Sequence, residues 1–158
     1  MMKIFVNKWI TFCVFSGLSP GMIYLYPSDM KDEQNITKLR QEIWNWAKKS
    51  GLNKRVFFSV PIGKMVYFSP KGIRHSISMH HGYPELELKL VKQLPKILVD
   101  AYYVGFNPNN RGDQSIVGVH DFYNIVVYEA KIYEIWLKVK ETKEKAFYYD
   151  HGIIRELK

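Results

Sequence analysis

Val119-His120-Asp121-Phe122-Tyr123-Asn124-Ile125-Val126-Val127-Tyr128-Glu129-Ala130-Lys131-Ile132-Tyr133-Glu134-Ile135-Trp136-Leu137-Lys138-Val139 is the stretch that decides the fold. Its β-branched and aromatic residues alternate with polar ones, which is the period of strands that bury one face. The spacing predicts strands over 119–129 and 131–139, joined by a hairpin turn near Ala130-Lys131. Glu141-Thr142-Lys143-Glu144 supplies the next turn, and a third strand is expected over 145–154.

Toward the N-terminus the texture becomes helical. Asn107-Pro108-Asn109-Asn110-Arg111-Gly112-Asp113 is a loop by composition. Before it, Leu86, Leu90, Val91, Leu94, Ile97 and Leu98 recur at helical spacing over 85–99, and Pro95 should kink or divide that helix. Two β runs, 55–60 and 64–69, flank Pro61-Ile62-Gly63 as a hairpin. Ser69 is a good helix N-cap with Pro70 at the first helical position, so the following stretch is expected to start as a turn of helix or a tight loop. Further back, Ile36, Leu39, Ile43 and Trp46 form one stripe of a helix over 36–50, with Asn35 as its cap and Gly51 closing it. Helices first and an antiparallel sheet last give an α+β class. The expected division is an N-terminal extension, 1–54, and a domain over 55–158.

A chain of 158 residues that is 47% hydrophobic and 15% aromatic supports one folded core. A net charge of +8 points to an anionic partner, nucleic acid first and an acidic membrane surface second. The single cysteine, Cys13, excludes an internal disulfide and a multi-cysteine zinc site. The phosphate-cradling GxxxxGK[ST], GxGxxG and zinc-protease HExxH patterns are all missing from the sequence. Near the start, Lys3 and Lys8 precede an apolar run from Trp9 to Leu18, the order of a secretory signal. The run is too short to span a bilayer and lacks a small-x-small cleavage site. Ile4, Val6, Ile10, Phe12 and Val14 also alternate as a strand would. The expectation is a cytoplasmic protein without stable membrane insertion, with export as the alternative.

Two polar clusters are the candidates for chemistry. Lys71-Gly72-Ile73-Arg74-His75 with His80 and His81 gathers three of the five histidines beside two cations at a strand-to-helix junction. Histidine is the side chain best suited to take and give a proton near neutrality. Lys145, Tyr148, Tyr149, Asp150, His151 and Arg155 form the second cluster, near the C-terminus. Period-two spacing puts Tyr149 and His151 on one strand face and Tyr148 and Asp150 on the other. Asp150 is placed to orient a histidine or to end a strand, and His120 is taken as structural. Lys71, Arg74, Lys145 and Arg155 are candidate phosphate contacts, with a solvated surface as the plainer role.

Val66-Tyr67-Phe68-Ser69-Pro70-Lys71-Gly72-Ile73-Arg74-His75-Ser76-Ile77, the helix with Leu94-Pro95 and Ala101-Tyr102, and Phe147-Tyr148-Tyr149-Asp150-His151 carry a resemblance. Together they look like one of the large polyvalent protein-associated domains found in polyproteins of phages and conjugative elements. That group is related to the barnase, EndoU, colicin and RelE nucleases. The resemblance covers roughly 55–158 and implies a small domain with a curved antiparallel sheet that cleaves RNA without a metal or other cofactor. Such cleavage needs a base for the ribose 2′-hydroxyl, an acid for the leaving 5′-oxygen and cations for the phosphorane. His75 is the first choice for base or acid, and His80, His81, Tyr149 and His151 are the other candidates. Three alternatives stay open: a non-catalytic module holding RNA or a protein partner, an accessory protein of a mobile element that blocks a host defence protein, and a zinc site built on His75, His80 and His81.

Overall fold

The alternation expected for the late strands is present in the burial of their side chains. The computed structural model describes residues 23–25, 33–78, 82–109 and 112–158. Strands β1 (Ile23–Leu25), β2 (Val56–Ser59), β3 (Lys64–Phe68), β4 (Tyr102–Pro108), β5 (Ile116–Tyr128), β6 (Lys131–Thr142) and β7 (Phe147–Glu156) form one sheet. Its order is β1-β5-β6-β7-β3-β2, and β4 also pairs with β5. In β6, Tyr133, Ile135, Leu137 and Val139 are buried and the residues between them are part-exposed. The β5–β6 hairpin turns on Glu129 and Ala130, both at positive φ, with Tyr128 opposite Lys131.

Among the described residues four α-helices, α1 (Glu33–Lys49), α2 (Pro70–Ser78), α3 (Pro84–Val91) and α4 (Leu94–Val99), complete an α+β fold. Leu86, Leu88, Ile97 and Leu98 meet Phe122, Ile135 and Leu137 of the sheet in one core. Asn124, fully buried, donates its side-chain amide to the Ile97 carbonyl at 3.1 Å and ties β5 to α4. Pro95 divides the expected long helix in two, because a proline lacks the N–H that would continue it.

Several elements differ from the sequence expectation. The sheet is mostly antiparallel, but β3 runs parallel to β7 and β1 parallel to β5. Tyr102–Pro108 is a strand that the loop composition concealed; β4 pairs on one side only, and an edge position tolerates Pro108. Helix α1 begins at Glu33, so Asn35 lies inside its first turn instead of capping it. Residues 70–78 form a complete helix, which Ser69 caps through its Oγ, 3.0 Å from the Gly72 N–H. As the stripe on α1 led one to expect, Ile43 and Ala47 pack onto the following domain, in the same core as Leu52, Val66 and Phe68. Trp46 is only half-buried. The run from Trp9 to Leu18, Cys13, His80 and His81 fall outside the described residues. Among the described residues no helix is long and apolar enough to cross a membrane.

Candidate active site at the junction of α2 and β7

A one-residue irregularity in β7 builds the site. Val139 lies opposite Tyr149 and Lys138 opposite His151, so Asp150 is an extra residue with no residue directly opposite it on β6. Such a bulge shifts the phase of alternation by one. Tyr149 therefore points into the core, 1% exposed, while His151 faces the side of the sheet that carries Lys138 and Lys140. The expected shared face for Tyr149 and His151 is not formed, and the cause is this insertion.

Helix α2 brings His75 to the bulge. β3 pairs with β7 only as far as Phe68 opposite Tyr149, and the chain then turns at Ser69 into α2. Gly72 is what lets the helix sit low, since a Cβ there would run into the Tyr149 carbonyl oxygen. One turn further along α2, Ser76 Oγ lies 2.8 Å from the Tyr149 hydroxyl and locks helix to strand. Burial pushes the Tyr149 hydroxyl well above the ordinary tyrosine range, which suits a structural hydroxyl and not a proton donor at neutral pH.

His75 and His151 meet with ring centroids 4.9 Å apart. Asp150 sits against both. Its Oδ2 is 2.7 Å from His151 Nδ1, and its Oδ1 accepts from Lys140 Nζ at 2.8 Å and lies 3.7 Å from His75 Nδ1. Burial alone would raise the Asp150 carboxyl, but the hydrogen bonds from His151 and Lys140 and the charge of Lys140 outweigh it. The group is held well below the usual carboxylate range. An ionised carboxylate only accepts, so His151 Nδ1 carries the hydrogen and Nε2 is the nitrogen left to take a proton. The rings are 39% (His75) and 20% (His151) exposed, open enough to meet a ligand.

One nitrogen from each histidine and an Asp150 oxygen lie within 4.8 Å of one another, the donor types of a transition-metal site. The Lys140 ammonium already on Asp150 Oδ1 opposes a second cation there. Of the expected phosphate contacts, none joins the cluster. Lys71 is exposed near Asp113. Arg74 turns toward α1, lying over the Trp44 ring. Lys145 occupies a left-handed turn position, φ 63°, and Arg155 is 68% exposed beside Glu134. Tyr148 packs against Tyr67. His120 is buried between Tyr103 Oη, 3.1 Å from Nδ1, and Glu141 Oε2, 3.0 Å from Nε2, a satisfied pair of contacts that fits a structural histidine. Lys140 was the residue missed; Trp136, Lys138 and Lys140 share the non-core phase of β6, a signal legible once β6 and β7 are paired.

A small α+β domain with a half-exposed, carboxylate-anchored histidine pair at a helix–strand junction is thus the class the fold and site define. More narrowly, the chain belongs to the family of large polyvalent protein-associated domain 3, whose model matches residues 34–149. That span takes in α1 and ends at Tyr149, just before the bulge. No curated protein and no solved structure matches the chain.

Proposed function

We propose that the protein cleaves RNA at the α2–β7 junction by proton transfer, with His151 as base and His75 as acid. The observation that carries this reading is the approach of the two rings to 4.9 Å around one ionised carboxylate. His151, with Nδ1–H on Asp150, takes the ribose 2′-hydroxyl proton at Nε2. The 2′-oxygen attacks phosphorus, the P–O5′ bond breaks, and His75 in its protonated form gives the leaving 5′-oxygen a proton. The products are a 2′,3′-cyclic phosphate and a 5′-hydroxyl. Lys140, on the same face, supplies positive potential for the phosphorane, while Lys138 is held by Asp121 at 2.6 Å, and the net charge of +8 draws the polyanion in.

The test incubates the purified full chain, His75→Ala and His151→Ala with a mixed RNA pool in EDTA and reads the cleaved ends. Wild type is expected to leave cyclic phosphate ends, and each variant to lose about 10²-fold or more in rate, the usual contribution of one acid or base. Wild-type cleavage that survives both substitutions removes the histidine pair from the mechanism. If wild type binds RNA but leaves it intact, the better account is a binding module of a mobile-element protein.

A further inference from the structure

Arg74 and His75 are consecutive on α2 yet serve different surfaces. His75 turns to β7, whereas Arg74 turns to α1, with its guanidinium carbon 5.5 Å from the centroid of the Trp44 ring. Lys48 Nζ lies over the same ring at 5.5 Å. Arg40, Trp44 and Arg74, with Thr37, Gln41 and Ile77, line an open groove between the two helices, and no acidic side chain lines it among the described residues. The Arg74 Nε bond to the Pro70 carbonyl, 3.3 Å, aims the guanidinium without neutralising it.

We infer that this groove is a second subsite for single-stranded RNA, holding the nucleotide next to the reacting phosphate. The inference rests on the RNA reading of the histidine pair. Three observations support it. Cations alone attract phosphate anywhere, but here they surround a half-buried indole, and an aromatic face beside a guanidinium is the platform on which an unpaired base stacks. Charge complementarity comes from Arg74, which lines the groove, and Lys48, which lies over the same indole. Continuity comes through α2, because His75 of the pair and Arg74 of the groove are consecutive residues on two faces of one helix. A base entering the groove stacks on Trp44 or on the Arg74 plane, displacing a cation–π contact, while its phosphate takes the freed guanidinium.

The probe is a single-stranded RNA made uncleavable by 2′-O-methylation, titrated by fluorescence anisotropy into the full chain, Trp44→Leu, Arg74→Gln and Lys96→Gln as a control cation elsewhere. Trp44→Leu is expected to weaken binding about fivefold or more, the loss that follows removal of one stacking platform. Arg74→Gln, at an exposed position, is expected to weaken binding and lower the salt slope by about one, the signature of one lost phosphate contact. If wild type binds and both groove variants bind as tightly with the control's salt slope, the subsite is overturned and the cleavage reading stands. If the groove variants lose binding and wild type never cleaves RNA, the subsite stands and the cleavage reading falls. A wild type that does not bind the probe overturns both.

Discussion

Gly72→Ala sets two effects of opposite sign against each other. Inside a helix, alanine is favoured over glycine by about 1 kcal/mol. Against that gain, the new Cβ meets the Tyr149 carbonyl oxygen, with the Tyr149 carbonyl carbon 3.2 Å and the Asp150 carbonyl oxygen 3.4 Å away. All three are backbone atoms of β7, so no rotamer change relieves the contact, and α2 must lift from the strand. Overpacking of this kind costs roughly 1–3 kcal/mol, at the upper end where the backbone cannot yield. The balance is a net loss of about 1–2 kcal/mol, read by urea unfolding with an unchanged m-value. Lifting α2 also moves His75 from His151 and breaks the Ser76–Tyr149 bond. Since a misplacement of about 1 Å can cost about 10²-fold in rate, RNA cleavage should fall by more than the stability loss explains. A variant as stable as wild type or more so, with cleavage intact, would falsify the seating of α2 on the bulge.

Two further substitutions separate electrostatics from packing. Asp150→Asn should cost about 1–3 kcal/mol at neutral pH, because it removes the charge and leaves His151 or Lys140 facing an amide NH2 in place of a part-buried acceptor oxygen. Because the folded carboxyl is held below its ordinary value of 3.8, its contribution is present in full above that pH and lost as pH falls through the lower folded value. The gap to wild type should therefore begin to close below about pH 4 and go on narrowing as pH falls toward the lower folded value; a gap constant across an acid series of unfolding curves would show that the ionised form adds nothing. Tyr149→Phe removes a buried hydroxyl and leaves Ser76 unpartnered, at about 1–2 kcal/mol by thermal or urea unfolding. The folded variant should still cleave RNA, and loss of turnover at wild-type stability would return Tyr149 to the chemistry.

Elements defined by periodicity were legible in the sequence, and those defined by pairing were not. The β5–β6 hairpin, the β2–β3 hairpin, the Ser69 cap and the break at Pro95 follow from local spacing and backbone chemistry. β4 was hidden because Asn107-Pro108 has turn composition, and only its partner β5 makes it a strand. The parallel contact of β3 with β7 joins segments about 80 residues apart, and no local signal reports it. At the site, His75 and His151 were candidates by residue type, but their meeting required that pairing. Lys140 escaped notice for the same reason: in sequence it is one of many lysines, and only across from Tyr148 does it reach Asp150.

The bulge at Asp150 makes the site and its support compatible. In a regular strand, Tyr149 and His151 would share the buried face and Asp150 alone would look outward. The hydroxyl that anchors α2 and the imidazole that faces solvent would then compete for one environment, and His151 would lose both its exposure and its approach to Lys140's face. One inserted residue lets Tyr149 stay under the helix while Asp150 and His151 turn out together. The end of β3 at Phe68 leaves β7 without a β3 partner beyond Tyr149, and Gly72 lets α2 occupy that place closely enough for His75 to reach the carboxylate. The chemistry of the cluster therefore depends on register as much as on residue type. A variant that restores regular β6–β7 pairing would keep every charged side chain in the sequence and still take the histidines apart.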